Sequence, residues 1–168
     1  MRQMTEQNLR AAYAGESQAS MKYKIFADQA EKEGKPNIAK LFRAISYAEQ
    51  VHATNHFKAL GELGQTTENL DAAIGGETYE VNEMYPAFDA VAELQREKSA
   101  KRSIHYALEA EKIHAGMYQK AKQAAEAGKD IEIRDIFICG TCGYTVEGEA
   151  PNTCPVCGAK KEMFKRFS

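Results

Sequence analysis

Two stretches of this chain repeat one another: YAEQVHA, Tyr47 to Ala53, and EAEKIHA, Glu109 to Ala115. Each sets a glutamate and a histidine three residues apart, which on a helix puts both side chains on one face. Helical spacing makes that face the apolar one. Through Glu49 it runs Ile38, Phe42, Ile45, His52 and Leu60, and through Glu111 it runs Ile104, Leu108, His114, Tyr118 and Ala121. A third stripe carries Ala12, Glu16, Ala19, Tyr23, Phe26 and Ala30. An ionised carboxylate turned into a core must be paired, protonated or bound to a cation. One such glutamate is commonly a solvated residue on a badly drawn stripe, but the same pair on two helices is poorly explained that way.

The surrounding pattern is helical from Thr5 to about Gly128. Thr5 reads as a cap for a first helix that stops at Gly34, and Pro36 opens a second that runs to about Glu62. A glycine-containing connection follows, with at most a helical turn at Asn69 to Ile74. A third helix spans roughly Glu77 to Glu97 with a kink at Pro86, and a fourth spans Ser99 to Ala127. The connection of some 16 residues reaches at most ~55 Å, nearly taut against a ~40 Å helix. Exchange of helix pairs between two chains is therefore one of its outcomes.

Glutamates from two helices and Glu-x-x-His from two others make the ligand set of a di-iron carboxylate bundle. The third helix offers Glu80 and Glu83 in YEVNEMYP. Glu49 and Glu111 read as bridges, Glu16 and Glu80 as terminal ligands, and His114 as a direct ligand. Glu83 is then one carboxylate beyond the minimal pattern, and His52 competes for the same iron. Tyr23, two turns from Glu16, either hydrogen-bonds the site or packs in the core; His56 reads as a surface histidine or one that supports a ligand from behind, and His105 as structural.

All four cysteines fall in CGTCGY and CPVCGA, so Cys139, Cys142, Cys154 and Cys157 form two knuckles. Such a set holds zinc or a single iron in a tetrahedron of thiolates. The change of pattern near Lys129 marks a second, β-rich module, giving domains 1–128 and 129–168. A formal net charge of -2 offers no basic field for nucleic acid. The polar start MRQMTEQNLRAAYAGES and the lack of any ~20-residue apolar run point to a cytoplasmic chain outside the membrane.

On Glu16 in AYAGESQASMKY, Glu49 and His52, Glu80 and Glu83, Glu111 and His114, and the two cysteine knuckles, the chain resembles the rubrerythrins over essentially its whole length. The resemblance implies a mainly α fold, a ferritin-like four-helix bundle followed by a small rubredoxin-like domain. It implies a non-haem di-iron centre, one iron bound by the cysteines, and reduction of hydrogen peroxide to water in oxidative stress defence. It further implies exchange of Glu83 for His52 on one iron, a site tyrosine at Tyr23, an external donor (a rubredoxin or an NAD(P)H-linked reductase), and a homodimer. The short connection between the second and third helices is similar to that of compact members that swap domains. Two other readings compete: a ferritin-like iron oxidase using oxygen, and a non-enzymatic helical adaptor with a zinc ribbon.

Overall fold

The computed structural model describes residues 1–168 and divides into two units, Met1–Gly64 and Gln65–Ser168. No helix is long and apolar enough to cross a membrane.

The first unit is a helical hairpin of α1 (Gln3–Lys32) and α2 (Pro36–Leu60). α1 starts two residues before the expected Thr5 cap, with the Glu6 N–H bonded to the Arg2 carbonyl at 3.0 Å. Gly34 takes φ 72° in the short turn between the helices, a backbone that glycine adopts without steric cost. Tyr13 meets Phe57, Ser20 meets Ser46 and Phe26 meets Phe42, so positions rise on one helix as they fall on the other. Between the helices lie small residues, Ala27, Ala30 and Ala39, with Phe42 packed against them. The backbones come close enough for a reciprocal pair of bonds: Ser20 Oγ donates to the Ser46 carbonyl at 3.0 Å, and Ser46 Oγ to the Ser20 carbonyl at 2.8 Å. Each serine is thereby satisfied although buried. Arg10 ties Glu6 and Glu62, a surface contact worth little by itself.

The second unit opens earlier than the sequence suggests. α3 (Thr66–Tyr79) occupies what reads as connection, passes through a π-helical turn (Glu80–Met84), and continues as α4 (Tyr85–Leu94). Its start is fixed by Glu68, whose carboxylate accepts the Gln65 N–H at 2.7 Å. Only residues 61–65 remain between α2 and α3. The interruption expected at Pro86 takes the form of the π-helical turn just before it. Proline lacks an N–H and its ring crowds the carbonyl four residues back, so widening the preceding turn accommodates it. α5 (Lys98–Glu126) packs against α3 and α4 and ends before Gly128, at φ 69°.

After α5 the chain forms a three-stranded antiparallel sheet in which the first strand lies between the other two. The strands are β1 (Ile136–Cys139), β2 (Thr145–Glu147) and β3 (Phe164–Phe167). The alternating residues before Ile136 are not part of it. Gly140 is required by close approach: a Cβ there would stand 2.9 Å from the Met163 carbonyl oxygen, which accepts the Gly140 N–H at 2.8 Å.

Candidate metal centres

The cysteine site is built by two turns of one design. In each knuckle the glycine after the second cysteine bonds back to the carbonyl of the first: Gly143 N–H to Cys139 and Gly158 N–H to Cys154, both at 2.9 Å. Their φ values of 82° and 76° are left-handed, which frees the turn to fold its backbone N–H groups toward sulfur. Sγ of Cys139 lies 3.6 Å from that of Cys157, and Sγ of Cys142 lies 3.5 Å from that of Cys154. A tetrahedron with ~2.3 Å metal–sulfur bonds has edges of about 3.8 Å, so the four sulfurs fit one ion. Burial works to raise Cys139, but the N–H groups of Thr141 and Cys142 and the thiols of Cys157 and Cys142 hold it down at about 7. Burial pushes the Cys142 thiol up, against the Tyr144 N–H. One thiolate is thus within reach at neutral pH, and an entering cation displaces the remaining protons.

The glutamates and histidines gather as two triads, one in each unit. In the first, donor atoms of Glu16, Glu49 and His52 all lie within 4.8 Å of one another, and His52 Nδ1 is 2.9 Å from Glu49 Oε2. In the second, Glu77, Glu111 and His114 meet the same condition; His114 Nδ1 is 2.6 Å from Glu111 Oε2 and 3.9 Å from Glu77 Oε1. Two carboxylates and one imidazole in so small a volume suit a divalent cation of the iron or zinc type. The two sets correspond residue for residue, as the duplicated Glu-x-x-His motif implies.

The third helix departs from the sequence expectation. Glu77, read as the edge of a connection, is the carboxylate that joins Glu111 and His114, because α3 already runs eleven residues before it. Glu80 stands close by: burial raises its carboxyl, the Glu111 charge adds to this, and His114 opposes it. Glu83, expected as the exchanging ligand, belongs to neither triad and is exposed, in a π-helical turn that changes the spacing at which residues share a face. Tyr23 packs against Phe26 and Phe42, with ring centroids 6.2 and 6.1 Å away. His56 and His105 lie outside the triads. Tyr85 was not singled out by the sequence. Burial raises its hydroxyl, with the charges of Glu80, Glu111 and Glu77 acting in the same direction. Its signal was available: Tyr85 falls eight residues after Glu77, about two turns along the same helical stretch.

The carboxyl of Glu77 is pushed up to about 7, first by burial and then by its bond to Glu111 and the charges of Glu111 and Glu80. A carboxyl raised in the folded chain favours folding when protonated. Its contribution is complete below the ordinary value of 4.5 and is lost as pH rises through about 7. In the metal-free chain, carboxyl NMR is expected to find one glutamate titrating near 7. If every glutamate titrates near its ordinary value, the triad does not hold a proton in place of a cation.

Helical carboxylate triads with a four-thiolate knuckle site in one chain define a non-haem metalloprotein of the ferritin-like, rubredoxin-linked class. The Rubrerythrin family pattern matches residues 7–122, and the pattern described as Rubrerythrin, rubredoxin-like domain matches residues 137–165. The chain belongs to the rubrerythrin family. It is 46% identical over 178 residues to Rubrerythrin-2 of Clostridium acetobutylicum, covering 98% of this chain and 97% of that one. Nigerythrin of Nitratidesulfovibrio vulgaris is 33% identical, covering 97% of this chain and 86% of the other. The solved structure titled "Fully reduced state of nigerythrin (all ferrous)" matches with a TM-score of 0.56 at 32% identity, over 97% of this chain and 86% of that one. The fold is mainly α and ferritin-like, followed by a small rubredoxin-like domain. Its cofactors are a di-iron centre and a metal on Cys139, Cys142, Cys154 and Cys157.

Proposed function

We propose that the chain is a hydrogen peroxide reductase, acting in oxidative stress defence. The observation that carries this reading is the combination of two matching Glu/Glu/His triads with a four-thiolate site. Bound, the iron pair supplies the two electrons that reduce peroxide to water. Glu49 and Glu111 would hold that pair from between, with Glu16 and Glu77 as further carboxylates and His114 and His52 as imidazole donors. Glu80, beside the second triad, would take the place expected of Glu83 as the carboxylate able to enter or leave. His52 is the mobile partner in such an exchange, being 53% exposed, against 28% for His114. Tyr85 Oη, kept protonated by burial and then by the charges of Glu80, Glu111 and Glu77, is a hydroxyl donor beside those carboxylates. The cysteine site relays electrons from an external donor, a rubredoxin or an NAD(P)H-linked reductase.

The complete centre is assembled from two chains in this proposal. A ferritin-like bundle carries one long crossover between its second and third helices. α2 is 25 residues long, or about 37 Å. Residues 61–65 span only about 20 Å when extended. So short a link favours a centre completed between two copies, the hairpin of one supplying the second unit of another, over one closed within a single chain.

The test begins with protein produced in ample iron, reduced without oxygen, and treated with stoichiometric peroxide or with oxygen in parallel. About three irons per chain and reoxidation by peroxide about tenfold or more faster than by oxygen are expected. Faster reaction with oxygen favours the iron-oxidase reading. Zinc at the cysteines, no iron in the bundle and no response to peroxide leave the helical adaptor.

A further inference from the structure

The second unit brings the knuckle module against α5 at the histidine itself. His114 turns Nδ1 toward Glu111 and Glu77, while its other ring nitrogen, Nε2, lies 2.7 Å from Thr145 Oγ1. Thr145 opens β2 and is 4% exposed, one of few buried polar side chains in the molecule. Its hydroxyl donates to the carbonyl of Gly143 at 3.0 Å. A hydroxyl has one proton to give. With that proton on Gly143, what Thr145 offers His114 is an oxygen lone pair, so Nε2 is the donor. With Nε2 occupied in this way, Nδ1 is the nitrogen left to the two carboxylates: it gives its lone pair to a bound cation, and without one it shares a proton with Glu111 at 2.6 Å. Gly143 is peptide-bonded to Cys142, and it lies over α5, where a Cβ would stand 3.9 Å from that of Ala110. One continuous path therefore runs from His114 through Thr145 and Gly143 to a cysteine of the same chain. His52 has no such support: it bonds Glu49 and is otherwise turned to solvent.

We propose that Thr145 is a positioning residue of the bundle centre, although it belongs to the cysteine module. It holds His114 as the Nε2–H tautomer, presents Nδ1 to the metal, and ties that triad to the knuckle of its own chain. The inference rests on the reading of the triads as metal sites. Partners of this kind fix ring orientation and raise ligand basicity, and losing one typically weakens metal binding by about 10–100-fold. Valine keeps the shape of threonine and removes the acceptor, whereas serine keeps the hydroxyl.

The experiment uses the full-length chain labelled with nitrogen-15 at histidine, loaded with zinc for NMR and titrated with cobalt for affinity. In the wild type the His114 Nε2–H is expected to be visible and slow to exchange with solvent. Thr145→Val should speed that exchange about tenfold or more and weaken cobalt binding in the bundle by about tenfold. Thr145→Ser should bring both back to within about twofold of wild type. Thr145→Ala is read the same way if the valine variant does not fold. Exchange and affinity unchanged in the valine variant, or a zinc-loaded His114 with no proton on Nε2, would overturn the assignment. If the triads take up no metal, the di-iron reading fails. Exchange at His114 in the metal-free wild-type and valine chains still decides whether Thr145 holds the ring.

Discussion

Glu77→Ala is expected to strip the paired metals from the bundle and to lower peroxide turnover about 100-fold or more, while Glu83→Ala leaves both within about twofold of wild type. The contrast follows from where the two carboxylates stand. Glu77 shares a volume with Glu111 and His114, and its carboxyl is raised to about 7 by burial first and then by Glu111 and Glu80. Glu83 is exposed and outside both triads. Glu111→Ala should behave as Glu77→Ala does. Metal content by elemental analysis and turnover under a constant supply of reductant measure the pair of effects together. Full peroxide turnover with both bundle irons in Glu111→Ala would remove it as a bridge, and a large loss in Glu83→Ala would return that residue to the centre.

Mixing two inactive chains is expected to restore about half of the wild-type activity. One chain carries Glu16→Ala in the hairpin, and the other carries Glu111→Ala in the second unit. If the hairpin of each copy completes the second unit of the other, the mixed dimer has one centre with both changes and one with neither. If each chain builds its own centre, every centre carries one lesion and mixing recovers nothing. Affinity tags on the two chains isolate the mixed species, and activity per dimer reads the outcome. The expected restoration is the more informative because residues 61–65 are all that join α2 to α3.

Much of the candidate site was legible because metal ligation imposes residue types that packing does not. Glu49 with His52 and Glu111 with His114 interrupt apolar stripes at one spacing, and the cysteine knuckles declare themselves by spacing alone. Glu77 was lost for a local reason. Gly75 and Gly76 lower helix propensity by about 1 kcal/mol each relative to alanine, so the stretch before Glu77 reads as connection. The cap at Glu68 and packing of α3 on α5 outweigh that cost. A cap four residues after Gly64 was the available clue, and it extends the helix by a full eleven residues. Glu83 follows Glu80 at helical spacing in YEVNEMYP, but the π-helical turn over Glu80–Met84 changes which residues share a face. Thr145 was out of reach of any periodic reading, because its bond to His114 joins residues 31 positions apart.

The brevity of the link at 61–65 also bears on safety inside a cell. If the half-sets of ligands meet only between copies, as proposed, a lone copy would hold at most a solitary ferrous ion on each. Such an ion meeting peroxide has one electron to give, and one-electron cleavage liberates a hydroxyl radical. Pairing of copies is then what converts a hazardous encounter into a harmless one. Specific activity should fall on dilution as dimers separate, with damage to the protein rising over the same range of concentration.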